Sequence, residues 1–352
     1  MWVYISLLFL PIIFGLISSL TDKNAAYFSK IVFLLLVIFI IGSRYKIGGD
    51  WTHYNEIFVN ASAQSNLFEL LSMKGPSYAG LNYIVSAIGG SIILVNFVSV
   101  FVFIYGFYKF CNNIPNYWDA YLVSVPFILI VLVMGYTRQS IALGFVFLAL
   151  SFYKDRSVFK YVVAVLIGTT FHVACLIMLP FSFFFVKNEK RRVNLLKKLF
   201  IAILFAIPII SVILFNYQYI TEHYLLRTHK SSEGVYFRLL IHSATFALFI
   251  VMRQRYKQNY DDYRLWMAIG ISVFLLLPIM YFSWIIYDRL ILYLLPFQVL
   301  IWSRLIYLYK VFVNRIVFRA FVYLSHFSML IIWLNYANNR QSWLPYQSVF
   351  FL

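Results

Sequence analysis

The chain has 352 residues, 63% of them hydrophobic and 12% charged, and its mean hydropathy is +0.83. A soluble domain carries roughly 25% charged and about half apolar residues, so a soluble, secreted or disulfide-framed protein is excluded and a polytopic membrane protein is indicated. The formal charge of +17, from 29 Lys and Arg against 12 Asp and Glu, points in such a chain to cytoplasmic loops and membrane lipids rather than to nucleic acid.

The first apolar run, Trp2 to Leu20, has no basic region before it and no small-residue cleavage site after it, so it reads as a retained span. Further apolar segments follow at about 29–43, 92–108, 120–136, 140–153, 159–186, 199–216, 235–252, 265–286, 290–303 and 317–335, read against the roughly 20 residues that cross a bilayer. Placing the loops 21–30, 109–119, 154–160, 187–198, 253–264 and 304–319 on one side gathers 20 of the 29 basic residues with 6 of the 12 acids. The positive-inside rule makes that side cytoplasmic. The two termini and the polar stretch 44–90 then lie outside, which in a Gram-negative cell is the periplasm.

This orientation makes two demands. Segments 120–136 and 140–153 must form a tight hairpin with Arg138 at an outer turn. The run 161–185, flanked at both ends by basic loops, must enter and leave on the same side with its turn near Thr169-Thr170-Phe171-His172. Each arm of that run is then about 20 Å of helix, shorter than a hydrocarbon core of about 30 Å, so its ends need protein or a water-filled cavity to cover them. A single tilted helix of the same run is the alternative. The expectation is therefore one domain over 1–352, with outer loops at 44–91 and 217–236. It is an all-α polytopic integral membrane protein of about 11–12 transmembrane helices, including short hairpin helices. Trp2, Trp51, Trp118, Trp284, Trp302 and Trp343 fall near predicted span ends and read first as interfacial anchors.

Sorting the charges leaves a short list at the outer face. Ionisable groups at membrane depth are costly, so each is a functional hypothesis. In Arg44-Tyr45-Lys46-Ile47-Gly48-Gly49-Asp50-Trp51-Thr52-His53-Tyr54 the paired glycines permit a tight turn, and Asp50 emerges just beyond a span end, where a carboxylate can meet a polar substrate. An ordinary juxtamembrane loop with a snorkelling Arg44 has the same composition. Tyr136-Thr137-Arg138-Gln139-Ser140 sets an arginine fork between two apolar runs, suited to phosphate oxygens or to a snorkelling hairpin. His172 is either a proton carrier or a satisfied structural histidine.

The loop from Asn216 to Arg238 carries His223, Arg227 and His229, with His242 beyond it. The histidines show no i,i+4 pair and no HExxH pattern, so no metal site or other cofactor is predicted, and the sequence leaves open whether a divalent metal assists. Asp288-Arg289 reads as an adjacent structural pair, with a phosphate role for Arg289 as the alternative.

Together these segments resemble the EpsG family of bacterial polysaccharide polymerases, a group that includes many Wzy O-antigen and capsule polymerases. The resemblance lies in Arg44 with Gly48-Gly49-Asp50-Trp51 and Tyr54, in Arg138-Gln139 with Ala142, and in Phe171-His172. Lys74-Gly75-Pro76-Ser77-Tyr78 with Leu81-Asn82 looks like the family's segment before the next helix. It covers about residues 40–180. It implies a polymerase with a GT-C-like glycosyltransferase fold that joins undecaprenyl-diphosphate-linked oligosaccharide units, donor to acceptor, at the periplasmic face of the inner membrane. It also implies a chain-length regulator protein as a partner. On that reading Asp50 is the first choice of base and His172 the second. Arg138, with Arg44 and Arg289, holds the diphosphate, joined in the same wall by Gln139, Arg227 and Arg238, while Trp51 and Tyr54 stack on sugars. A ligase or another polyprenyl-dependent glycosyltransferase shares every one of these residues. A flippase would be expected to show paired repeats, which the sequence lacks.

Overall fold

A computed structural model describes residues 1–64, 69, 70, 73, 75–186, 234–309 and 311–351. The regular secondary structure of the described residues is helical, apart from an isolated antiparallel bridge between Arg44 and Ser348. The chain starts with α1 (Trp2–Leu20) and α2 (Lys23–Gly42), and the Asp22 carboxylate caps α2 by accepting from the Ala25 amide at 2.8 Å. The stretch expected as an outer loop is itself helical, folding into α3 (Trp51–Ser62) and α4 (Pro76–Ala87). Then follow α5 (Ile92–Cys111), α6 (Tyr117–Ser124, continuing as a π-wound stretch over Val125–Val133), α7 (Thr137–Ser151), α8 (Val158–Phe171) and α9, a 3-10 helix over Val173–Phe185. Pro126 lacks an amide hydrogen and crowds the carbonyl one turn back, which accounts for the widened winding after Val125.

The last third holds α10 (Val235–Val251), α11 (Arg253–Asn259), α12 (Tyr263–Leu275), α13 (Leu277–Phe282), α14 (Trp284–Ile291), α15 (Pro296–Leu305) and α16 (Phe312–Tyr336). Among the described residues five helices are long and apolar enough to cross a membrane, or up to seven if the bent pairs 235–259 and 284–308 each count as one span. The protein is an all-α polytopic membrane protein. The run expected at 199–216 lies outside the described residues, and α6 through α9 are apolar but shorter than a full span. They are the hairpin helices. The 120–136/140–153 turn falls between α6 and α7, with Arg138 just after it in the first turn of α7, and the run 161–185 reverses at His172. Its two arms pack together, with the Tyr161 hydroxyl donating to the Met178 carbonyl at 2.6 Å and the Tyr161 and Phe185 rings 4.3 Å apart. A single tilted helix is thereby excluded.

These short helices are held by protein. A Cβ on Gly106 of α5 would meet the Gly144 carbonyl of α7 at 1.9 Å, so the two backbones cross in direct contact. By contrast the outer faces of α1, α2 and α16 present Leu16, Leu20, Phe28, Leu35, Val317 and Leu324, all more than half exposed, as lipid-facing helices do. Trp118, Trp302 and Trp343 are not interfacial anchors. They are buried, and the Trp302 indole donates to Thr245 at 2.9 Å.

The predicted charge sorting reappears in the fold. Arg304 donates to Asp262 at 2.6 Å and to the Asn113 carbonyl at 3.4 Å, Arg319 lies 3.3 Å from Asp119, Arg156 reaches Asp261 at 2.6 Å, and Lys30 sits 4.7 Å over the Tyr117 ring. Five of the six loops assigned to one side thus meet at one end of the bundle; the sixth, 187–198, lies outside the described residues.

Candidate active site

The opposite end gathers Asp50, Arg138, His172 and Arg289, with Tyr54 and Gln139 against them. Asp50 ends the Gly48-Gly49 turn and begins α3. Gly48 has φ of +102°, and a Cβ there would meet Gly135 Cα at 2.8 Å, so glycine lets the Asp50 turn pack directly against the turn that leads into Arg138. Arg138 lies in the first turn of α7. Its guanidinium sits 5.9 Å over the Tyr54 ring, and the Tyr54 hydroxyl is hydrogen-bonded by both the Arg138 amide and its side chain. From the α8–α9 reversal comes His172, whose Nε2 is 3.5 Å from Gln139 Nε2 and whose ring is tilted on Tyr293 at 5.7 Å. Arg289, on α14, is the strongest cationic neighbour of Asp50 and also acts on His172.

Asp50 is half-buried, and no side-chain cap bond engages its carboxylate at the start of α3. Burial holds its carboxyl above the usual carboxylate range, against the opposing pull of Arg289, His53 and Arg138. A carboxylate so placed is a stronger base than a solvated one. Of the cations around it, Arg138 lies where two helices start, while Arg289 is in the last turn of α14. The α4 start at Gly75 approaches within 3.6 Å of Arg138 Cδ, measured from an ideal Cβ, and α7 starts one residue before Arg138. Helix N-termini carry partial positive charge, so the two helix ends add to the positive charge of the guanidinium.

Other candidates take different places. Arg44 neither snorkels nor faces the site: it is 1% exposed, donating to the Ile41 carbonyl at 2.8 Å, Asn96 Oδ1 at 2.9 Å and Thr137 Oγ1 at 3.0 Å. It ties the end of α2 to the start of α5 and to the residue preceding Arg138, which makes it a positioning residue. Tyr54 is buried between Arg138 and Tyr78, where its face supports the guanidinium rather than a sugar. Trp51 is half-buried with its ring edge-on to Tyr45 at 5.7 Å. Gln139 is buried beside His172. Arg238 forms an ion pair with Asp288, so Asp288 is paired across helices. The candidates Arg227, His223 and His229 lie outside the described residues.

The Gly75 to Asn82 segment does join the site: Ser77 donates to Thr170 Oγ1 at 2.7 Å, and Asn82 donates to the Tyr78 carbonyl at 2.6 Å. Asn96, Thr137 and Tyr293 were not among the predicted site residues. Asn96 had a usable signal, a polar side chain inside the apolar run 92–108. Two open clefts of about 450 and 170 Å³, one along Val32–Phe39 and one at Phe101–Tyr105, have apolar and aromatic linings, and neither is lined by the reversal at His172, where protein or a water-filled cavity is expected to cover the short arms. Among the described residues no three His, Cys, Asp or Glu side chains come together as a metal site.

A sequence model for the EpsG family matches residues 26–348, and the chain belongs to that family, a Wzy-like polysaccharide polymerase family. No curated protein and no solved structure matches the chain.

Proposed function

Starting from EpsG-family membership, we propose that this protein is a Wzy-type polymerase that joins undecaprenyl-diphosphate-linked oligosaccharide units at the periplasmic face of the inner membrane. The observation that supports it is the meeting of one half-buried carboxylate with Arg138, Arg289 and two helix N-termini at the end of the bundle opposite the cation-rich loops. The acceptor hydroxyl on the incoming lipid-linked unit loses its proton to Asp50 as its oxygen attacks the anomeric carbon of the growing chain. The bond from that carbon to the diphosphate oxygen breaks, and undecaprenyl diphosphate leaves with the bonding electrons. Negative charge grows on the departing oxygens, where Arg138 and Arg289 stand preorganised to balance it. His172, beside Gln139, is placed as the second proton-handling group. The lipid-linked donor and acceptor, and a chain-length regulator beside them, are the partners this reading requires, and the GT-C plan is the fold it implies.

The test is a polysaccharide gel from cells lacking the protein, restored in turn with wild type, Asp50→Asn and Arg138→Ala. A ladder that collapses to core plus one repeat unit, rescued only by wild type, is the expected result. Loss of even the single unit from the core would move ligation or flipping ahead. An unchanged ladder would sink the assignment.

A further inference from the structure

The segment after α16 runs back across the site end of the molecule. The Tyr45 amide donates to the Gln347 carbonyl and the Val349 amide to the Ser43 carbonyl, both at 3.0 Å, while Arg44 and Ser348 pair as the bridge and Ser348 Oγ donates to Ser43 Oγ at 3.0 Å. The Gly48 amide donates to the Ser342 carbonyl at 2.8 Å. Next to it Trp343 is fully buried, its indole donating to the Ile130 carbonyl at 3.1 Å, its ring edge-on to Trp333 at 5.3 Å, and its own carbonyl taking the Tyr4 hydroxyl. A Cβ on Gly135 would strike Trp343 Cζ2 at 2.7 Å, and a Cβ on Gly48 would strike Gly135 Cα at 2.8 Å. Three layers are therefore in contact: the Asp50 turn, the turn before Arg138, and the indole of Trp343.

We propose that Trp343 is a positioning residue for the transfer reaction: through Gly135, and with Ser342 through Gly48, it sets the distance between the Asp50 turn and the Arg138–His172 wall. The inference rests on the polymerase reading for the word transfer, and on packing alone for the distance. None of these contacts is with a reacting group, so the effect of Trp343 passes through two backbone turns. The indole backs the turn before Arg138, and that turn packs on Gly48. A methyl added at Gly135 therefore shifts the turn relative to the Asp50 turn, and a smaller ring at position 343 takes up the shift.

That gives a paired test. Gly135→Ala adds the methyl that collides with Cζ2, whereas Trp343→Phe removes the part of the ring it collides with. We expect Gly135→Ala to insert at wild-type level while losing at least tenfold in polymer per inserted protein, and Gly135→Ala with Trp343→Phe to recover most of it. Separately, spin labels at Gly49→Cys and Val173→Cys report the gap without any substrate. Both sites are exposed, and the native Cys111 and Cys175 are fully buried. The distance distribution should be narrow in the parent protein, shifted or broadened by Gly135→Ala, and narrow again in the double variant. A distribution that Gly135→Ala leaves unchanged, or a double variant no better than Gly135→Ala, would overturn the proposal. So would polymer yields that merely follow the amount of inserted protein in every variant. If the parent protein makes no polymer while the distances behave as expected, it is the polymerase reading that fails and the positioning that stands.

Discussion

The two ends of the helical bundle handle buried charge in opposite ways. At the end where the basic loops meet, every buried carboxylate is surrounded by donors. Asp262 takes hydrogen bonds from Arg304, from the Tyr256 hydroxyl at 3.0 Å and from the Trp266 indole at 2.8 Å, and fully buried Asp119 takes them from Arg319, Tyr307 and Tyr323. At the other end Asp50 caps nothing with its side chain, sits among cations that belong to other elements, and is held above its ordinary pKa range by burial. A saturated carboxylate holds helices together. One that protein donors leave less engaged can accept a proton, so the difference sets the scaffold apart from the end suited to the proposed transfer.

The comparison breaks most visibly under substitution of the reactive end. Asp50→Asn and Arg138→Ala should each cost about 10²–10⁴ in transfer with the protein still inserted, read as polymer per inserted protein; Asp50→Asn should also still bind the lipid-linked unit. Normal-length polymer from either variant would remove that residue from its role. At the scaffold end the cost appears in stability instead. Arg304→Ala leaves Asp262 without its cation and should cost about 3–5 kcal/mol, seen as lost protein in membranes and a lower unfolding temperature in detergent. A variant as stable as wild type would mean that the network is idle.

A smaller effect sharpens the contrast through pH. Because the folded protein binds the Asp50 proton more tightly than the unfolded chain does, ionisation of Asp50 costs stability in full above the raised folded value, and that cost shrinks as pH falls from the folded toward the unfolded value, below which it is gone. Asp50→Asn should therefore unfold at the same or a slightly higher temperature at neutral pH, and the wild-type rate should fall on the acid side at a higher pH than a solvated aspartate would give. An Asp50→Asn variant less stable than wild type at neutral pH would contradict the assigned burial. The smallest change is Trp51→Phe, which keeps an aromatic edge against Tyr45 and should alter stability by no more than about 0.5 kcal/mol.

Much of this was legible because the membrane simplifies the physics. Charge sorting alone brought together loops that do meet, and the flanking of 161–185 by basic loops required the reversal found at His172. Asp50, Arg138, Gln139, His172 and Arg289 stood out because ionisable and strongly polar side chains are few in an apolar chain. What sequence could not supply was direction and depth. Arg44 and Arg138 look alike as arginines at span ends, yet Asn96 and Thr137 turn one inward, while Tyr54 and the start of α4 hold the other at the site. Arg238 and Asp288 are fifty residues apart, so their pairing has no local signature. Trp343 read as an anchor because nothing in its immediate sequence shows that two glycine turns stack against it.

The reversal at His172 also bears on how the protein is made. The α8 arm is about 21 Å long and α9 about 26 Å, each short of the bilayer's apolar thickness, so neither is a stable lodger in lipid on its own. Their cover is α7, against which Gly168 packs so closely that a Cβ would meet the Ala142 carbonyl at 3.2 Å. In chain order that cover is synthesised first. The arm bearing His172 therefore leaves the ribosome when its berth already exists, and the timing of translation spares the protein a stage in which an uncovered half-span must wait in the membrane.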